Sequence, residues 1–446
     1  MEKIFIQENS AGCYFADFDT SNVKVSDNPV CVTVPGSKSI TNRSLLIAAL
    51  ARGQSKLTGV QFSEDSECFL ECLTDLKYPI SVNKEEKTVT ISGLGGYLPC
   101  SHASLNVKSA GTAARFITAY LGLSDGSFDI NASDQMKKRP MAPLIDCLRD
   151  LGAEIVCTGE EGFFPLTVKG HGFGKNEITV DIDKSSQFLS AILISSVLAH
   201  DDITVNVTGN HGLKYVEMTC RMMQDFKATI KKEGDSYKIP FNSKYMARNY
   251  TIEPDASAAG YFYALSPILG IPVLVKGIFE NSLQGDVAIT DVLCEMGCSK
   301  EETHDGIVVY PPKDGCLHGV DVDMSAFSDQ ALTVAVIASL ADTPTTIRGI
   351  GHIRMQESDR IHGMVTELSK CNIECEEGED YVVIHPGSLK GATIETYDDH
   401  RMAMAFSLLS VKNKDISISN PMCCKKTFAE YFETLDKALC DASSDR

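Results

Sequence analysis

Residues 185–199 read SSQFLSAILISSVLA, and residues 328–341 read SDQALTVAVIASLA. Each stretch opens with hydroxyl or acidic residues suited to cap a helix by accepting hydrogen bonds from its free amides. Each then runs apolar almost all round, without the polar face of a surface helix, which is the pattern of a buried one. Four more stretches share the shape: SKSITNRSLLIAALA from Ser37, SAGTAARFITAYL from Ser109, DASAAGYFYALSPIL from Asp255 and DDHRMAMAFSLLSV from Asp398. The openers recur at roughly 70 residues, longer than a solenoid repeat but still periodic. A short β-type stretch follows each in turn: SKLTGV, SFDINA, DITVNV, PVLVKG, TTIRGI and DISISN.

Amphipathic stretches such as MAPLIDCLRDLGAEI (141–155) and IHGMVTELSKCNIEC (361–375) lie between these units, as do alternating strands such as DYVVIHP (380–386). The strands are short and half polar, so the expected α/β architecture has sheets outside and helices inside. A doubly wound α/β protein would instead place its apolar runs in the strands. Six units divide into two domains of three. The expected boundaries put 37–252 in one domain and 1–36 plus 253–446 in the other, with a hinge near 36 and 252. Residues 8–28, rich in Ser, Asp and Asn, read as an irregular surface extension.

A chain of 446 residues exceeds one ordinary core, which agrees with two domains. No apolar run is long enough for a membrane span, and the start MEKIFIQENSAG lacks the form of a signal peptide, so the expectation is a cytoplasmic protein. The 16 cysteines show no paired C-x2-C spacing and no histidine set beside them; they read as reduced thiols, with no metal. A net charge of −19 argues against nucleic acid, whose phosphates need a basic face. A local Lys and Arg cluster can still hold a small anion inside an acidic protein. Nothing reads as an exposed apolar interface, so a monomer is expected.

The chemistry-bearing residues gather at the openers, where helix amino termini present free amides and a positive dipole end. PGSKSITNR offers Lys38, Ser39 and Arg43 at one helix start; it is not a Walker A loop, and solvated surface charge is the competing reading. SAGTAAR places Gly111, where backbone can approach a ligand, one turn before Arg115. Arg139 precedes a proline, in an extended or turn conformation that projects its guanidinium. Ser185, Ser186 and Gln187 supply two hydroxyls and an amide. Asp329 taken alone reads first as a cap. RMQESDR holds Glu357 and Arg360 within a turn, DDHRMAM pairs His400 with Arg401, and KKTF contributes Lys426.

From about Val32 to Leu435 these motifs occur in the order found in the EPSP synthase family of enolpyruvyl transferases, which the chain resembles: PGSKSITNR, SAGTA, RPM, SSQF, DASAA, SDQALT, TTIRGIGHIRMQESDR, DHRMAM and KTFAEYF. The resemblance implies two similar domains, each of three βαβαββ units with buried parallel helices, an inside-out α/β barrel. It implies transfer of the enolpyruvyl group of phosphoenolpyruvate to the 5-hydroxyl of shikimate 3-phosphate, on the route to chorismate and aromatic amino acids, without a cofactor. Lys38, Gly111, Arg139, Gln187, Arg360, Arg401 and Lys426 would surround phosphoenolpyruvate. Ser39, Arg43, Ser185, Ser186, Gln187, Tyr215, Asp329 and Gln356 would hold shikimate 3-phosphate, with Thr112, Arg115 and His400 in support. Asp329 would be the general base. Glu357, with Lys38, would protonate the methylene carbon, which calls for a site less favourable to its charge.

The chain departs from the family pattern in four places. Gln356 stands where Lys is usual, His352 where many members have Asn, Gly212 near a frequent substrate-binding serine, and Phe116 where proline is frequent. UDP-N-acetylglucosamine enolpyruvyl transferase is the nearest rival, but DQMKKRPMAPL (134–144) lacks the cysteine expected there. A non-catalytic ligand-binding paralogue is the rival from another class; it would not require both carboxylates.

Overall fold

The computed structural model describes residues 12–209 and 211–444. The chain divides into two compact units, Gly36–Ile252 and Met1–Pro35 with Glu253–Arg446, here called central and terminal.

Six interior helices follow the apolar runs. In the central unit they are α1 (Lys38–Leu50), α2 (Gly111–Gly122) and α3 (Ser186–Ser195). In the terminal unit they are α4 (Ala256–Tyr263), α5 (Ala331–Ala338) and α6 (His400–Lys412). Every residue of α2 and α5 is buried, and α3 leaves only Gln187 out of the interior. A helix surrounded on all sides gains from apolar residues on all sides, which is why these segments lack a polar face.

The sheets repeat one topology. In the central unit Asn249–Thr251 runs parallel to Arg52–Thr58, which pairs antiparallel with Thr88–Leu94, and that strand with Ile80–Asn83. The strands His102–Asn106, Asp125–Asn131, Leu166–His171 and Glu154–Cys157 repeat the pattern. Glu177–Asp181, Ile203–Thr208, Ser236–Ile239 and Lys231–Glu233 repeat it again. Along Asp125–Asn131 only Phe128 and Ile130 are buried, so one face packs on helices and the other meets solvent. One-sided helices such as Ala142–Asp150 and Arg360–Lys370 supply the second α of each βαβαββ unit. The inverted architecture expected from the sequence is the one observed.

In the terminal unit Val30–Val32 lies parallel to Val273–Lys276, so a strand from before α1 opens the sheet that follows α4. The sixth unit is abbreviated: its sheet is Thr393–Ile394 beside Ser417–Ile418, and Tyr14 bridges antiparallel to Ile418.

That bridge corrects the reading of 8–28 as a surface extension. Residues 8–11 lie outside the described residues, but Cys13, Tyr14 and Ala16 are buried. Tyr14 packs against Phe432 with ring centroids 4.2 Å apart, and its hydroxyl donates to Asp436 at 2.7 Å. Among its described residues Asp17, Asp19, Ser21, Asn22, Asp27 and Asn28 are exposed, which accounts for the polar composition, while a few side chains enter the core. No helix among the described residues is long and apolar enough to cross a membrane.

Candidate functional site

The residues singled out at the openers lie at the starts of three helices in the central unit, and in the terminal unit they meet in one network.

In the central unit α1 starts at a capped end: Ser37 Oγ accepts from the Ile40 amide at 3.4 Å. Lys38, one residue on, lies 3.5 Å from the Asp65 carboxylate. Arg43 is 2 % exposed and donates to Thr219 Oγ1 (2.7 Å), the Ser39 carbonyl (3.0 Å) and the Tyr215 carbonyl (3.4 Å). Its guanidinium also stacks over Phe116, 5.4 Å from the ring centroid. Phe116, where the family often has proline, therefore makes a cation–π surface for Arg43. Burial pulls the Arg43 guanidinium down to about 10, with Tyr215 and Cys220 opposing. The surface-charge reading of Arg43 is thereby excluded.

Gly111 and Thr112 begin α2 without a side-chain cap. A Cβ on Gly111 would lie 2.7 Å from Arg115 Nη1 and 2.8 Å from Arg139 Nη1, so two guanidiniums converge on this helix start. Arg115 donates to the Gly111 carbonyl at 3.0 Å, which fixes its direction. Ser185 caps α3 by accepting from the Gln187 amide at 3.3 Å. Gly212 sits at φ +64°, and a Cβ there would come 2.5 Å from Ser186 Oγ. A serine at 212 would thus require Ser186 to move, which makes this departure part of the local packing.

In the terminal unit the cluster centres on Arg360, 1 % exposed at the start of Arg360–Lys370. Its Nε donates to Asp399 Oδ2 at 2.8 Å and its Nη2 to Glu357 Oε2 at 2.9 Å. Its Nη1 donates to Asp329 Oδ1 at 3.3 Å and also meets the Gln356 side-chain oxygen. Gln356, which replaces the usual lysine, thus helps hold Arg360. Arg401 Nη2 donates to Asp329 Oδ2 at 2.6 Å, and Lys426 Nζ lies 3.4 Å from Glu357 Oε1. Burial opposes the charge on Arg360, but Asp399, Glu357 and Asp329 together raise its proton affinity above the ordinary value. Asp329, Gln356, Glu357, Arg360, Arg401 and Lys426 therefore meet in one network. His400 is buried beside Asp399, its Nδ1 3.8 Å from Oδ1. His352 Nε2 pairs with Ser328 Oγ at 2.7 Å.

Two expectations change. Asp329 is not a helix cap: it lies in the short turn Ser328–Gln330 before α5, and its carboxylate serves two arginines. Glu357 lies against Arg360 and Lys426, a setting that favours its charged form. The sequence reading also passed over Asp65, Asp399 and Tyr261. Asp399 both caps α6, accepting from the Arg401 amide at 2.9 Å, and anchors Arg360. Tyr261 accepts from Arg401 Nη1 at 3.3 Å, and burial pushes its hydroxyl to about 12. Asp399 was visible as the second acid of DDHRMAM; nothing in sequence alone marks Tyr261. Among the described residues, no group of three or more His, Cys, Asp or Glu is placed to hold a metal.

The model of the family described as EPSP synthase (3-phosphoshikimate 1-carboxyvinyltransferase) matches residues 27–435. A protein of Nostoc punctiforme named 3-phosphoshikimate 1-carboxyvinyltransferase is 42 % identical over 418 residues, 93 % of this chain and 98 % of its own length. One of the same name from Vibrio campbellii is 38 % identical over 414 residues, 92 % of this chain and 96 % of that one. Among solved structures, EPSP synthase from Acinetobacter baumannii superposes with a TM-score of 0.76 at 25 % identity, covering 93 % of this chain and 97 % of the other. The enolpyruvyl transferase NikO from Streptomyces tendae shares the fold, with a TM-score of 0.70 at 15 % identity over 93 % of this chain and 96 % of that one.

Proposed function

This chain belongs to the EPSP synthase (3-phosphoshikimate 1-carboxyvinyltransferase) family, and from that premise we propose that it transfers the enolpyruvyl group of phosphoenolpyruvate to the 5-hydroxyl of shikimate 3-phosphate. Asp329 is the general base on the 5-hydroxyl. Glu357, with Lys38 assisting, donates a proton to the methylene carbon, and the 5-oxygen bonds to the adjacent carbon as it gains oxocarbenium character. Phosphate then leaves while one methyl proton returns to the Glu357 carboxylate, which restores the carbon–carbon double bond, and cationic side chains stabilise the departing oxygens. Lys38, Gly111, Arg139, Gln187, Arg360, Arg401 and Lys426 serve the donor. Ser39, Arg43, Ser185, Ser186, Tyr215 and Gln356 serve the acceptor, and Thr112, Arg115 and His400 support them.

The observation that carries this reading is that both carboxylates share one arginine: Asp329 and Glu357 each pair with Arg360. A base must stay ionised and an acid must hold a proton, so the two need different surroundings during turnover. Arriving donor anions recruit Arg360 and Lys426, which draws positive charge away from Glu357 and raises its affinity for a proton. Asp329 shares Arg360 with Glu357 but also pairs with Arg401 at 2.6 Å, the shorter of its two arginine contacts, so it retains a close cation while Arg401 also faces the donor. Donor binding thus separates the roles of the two acids.

The deciding experiment is phosphate release from phosphoenolpyruvate with shikimate 3-phosphate or UDP-N-acetylglucosamine as acceptor. Release with shikimate 3-phosphate alone is expected. Release with the nucleotide sugar instead, or with neither at saturation, overturns the assignment.

A further inference from the structure

We infer that Asp286 is a second carboxylate behind Asp329, a positioning residue whose negative charge strengthens Asp329 as a base. The inference rests on the role proposed for Asp329. Asp286 lies in the short turn Gly285–Ala288, outside every motif that marked the site, and is 2 % exposed. Its Oδ1 accepts from Ser257 Oγ at 2.9 Å. Ser257 belongs to α4, and its carbonyl and that of Ala256 accept from Gln330 Nε2 at 3.2 and 3.4 Å. Gln330 adjoins Asp329. Gly260 makes room for this amide, since a Cβ there would lie 2.1 Å from Gln330 Oε1. Two turns, each carrying a carboxylate, are therefore tied together through the start of α4, and they also lie directly against each other.

Charged groups acting on Asp286 include Asp329 and Asp255, which disfavour its ionisation, and Arg401, which favours it; the Ser257 hydroxyl favours it too. Burial first, and the charge of Asp329 second, lift the Asp286 carboxyl to about 6. Coupling of this kind is mutual. Above that pH both acids are ionised, and their repulsion is relieved when Asp329 takes the proton of the acceptor hydroxyl. Below it Asp286 is neutral and the assistance is lost. Activity should therefore step down through an inflection near the Asp286 midpoint as pH falls.

Asp286→Asn removes the charge and keeps the shape. At pH 8 its turnover should fall about threefold, the order expected for a modest change in base strength, and the inflection should vanish. A loss that leaves the inflection in place overturns the inference. Should that variant fail to fold, Ser257→Ala keeps both carboxylates but removes a bond to the ionised form, so the inflection should move to higher pH; an unmoved inflection counts equally against it. A readout independent of turnover is the ¹³C carboxyl titration of Asp286. In Asp329→Asn its midpoint should drop by at least about half a pH unit, and an unchanged midpoint overturns the pairing whether or not the protein turns over. Wild-type protein that released no phosphate would instead overturn the proposed reaction.

Discussion

Asp329 meets Arg360 with one carboxylate oxygen and Arg401 with the other. Such pairing keeps an acid ionised and fixes its direction, two properties that a general base needs. Asp329→Ala should lower kcat by about 10²- to 10⁴-fold, the usual worth of positioned proton transfer. Shikimate 3-phosphate binding, measured by calorimetry, should weaken far less; equal losses in the two would remove the assignment as base. Residue type and motif order were enough to nominate Asp329, Glu357, Arg360, Arg401 and Lys426. They were not enough to show that Arg360 is held by side-chain oxygens of four residues, Asp329, Gln356, Glu357 and Asp399, because these lie up to 70 positions apart by sequence.

Helix starts show how far a local pattern carries. Ser37, Ser185 and Asp255 cap α1, α3 and α4 as their positions suggest. In DDHRMAM the cap is Asp399 and not the opener Asp398, which takes a positive φ. Ser109 and Ser328 cap nothing; their hydroxyls pair with Ser133 at 2.7 Å and His352 at 2.7 Å. A small polar residue before an apolar run predicts a helix start, but the turn leading into it decides which oxygen reaches the amides. The abbreviated sixth unit gives another case. It takes an antiparallel partner from Tyr14, more than 400 residues upstream. Tyr14→Ala removes a buried ring and its hydroxyl bond, and should cost roughly 3–5 kcal/mol. Chemical denaturation would read this as a lower midpoint at unchanged slope. A shift below about 0.5 kcal/mol, ordinary for a surface position, would return the segment to the surface role first read for it.

At the scale of the molecule, the chain leaves the terminal unit after Pro35 and returns at Glu253. The central unit is closed on itself: Asn249–Thr251, its last strand, pairs with Arg52–Thr58, among its first. A fragment spanning 36–252 should therefore fold alone with one cooperative transition, followed by circular dichroism on heating. Ending it at 248 removes that strand from its sheet and should lower the midpoint. If both fragments are unfolded, the central unit draws essential stability from elsewhere in the chain.

By itself the sequence determined the repeated plan. Apolar runs without a polar side favour interior helices, and half-polar strands favour outer sheets over a doubly wound plan, from local periodicity and water. It also nominated the charged residues at helix starts. Tertiary structure alone decided the company residues keep: Asp399 behind Arg360, Phe116 under Arg43, Tyr14 against Ile418. The physical reason is that the strength of a charge depends on burial and on groups within a few ångströms, and such neighbours come from distant parts of the chain.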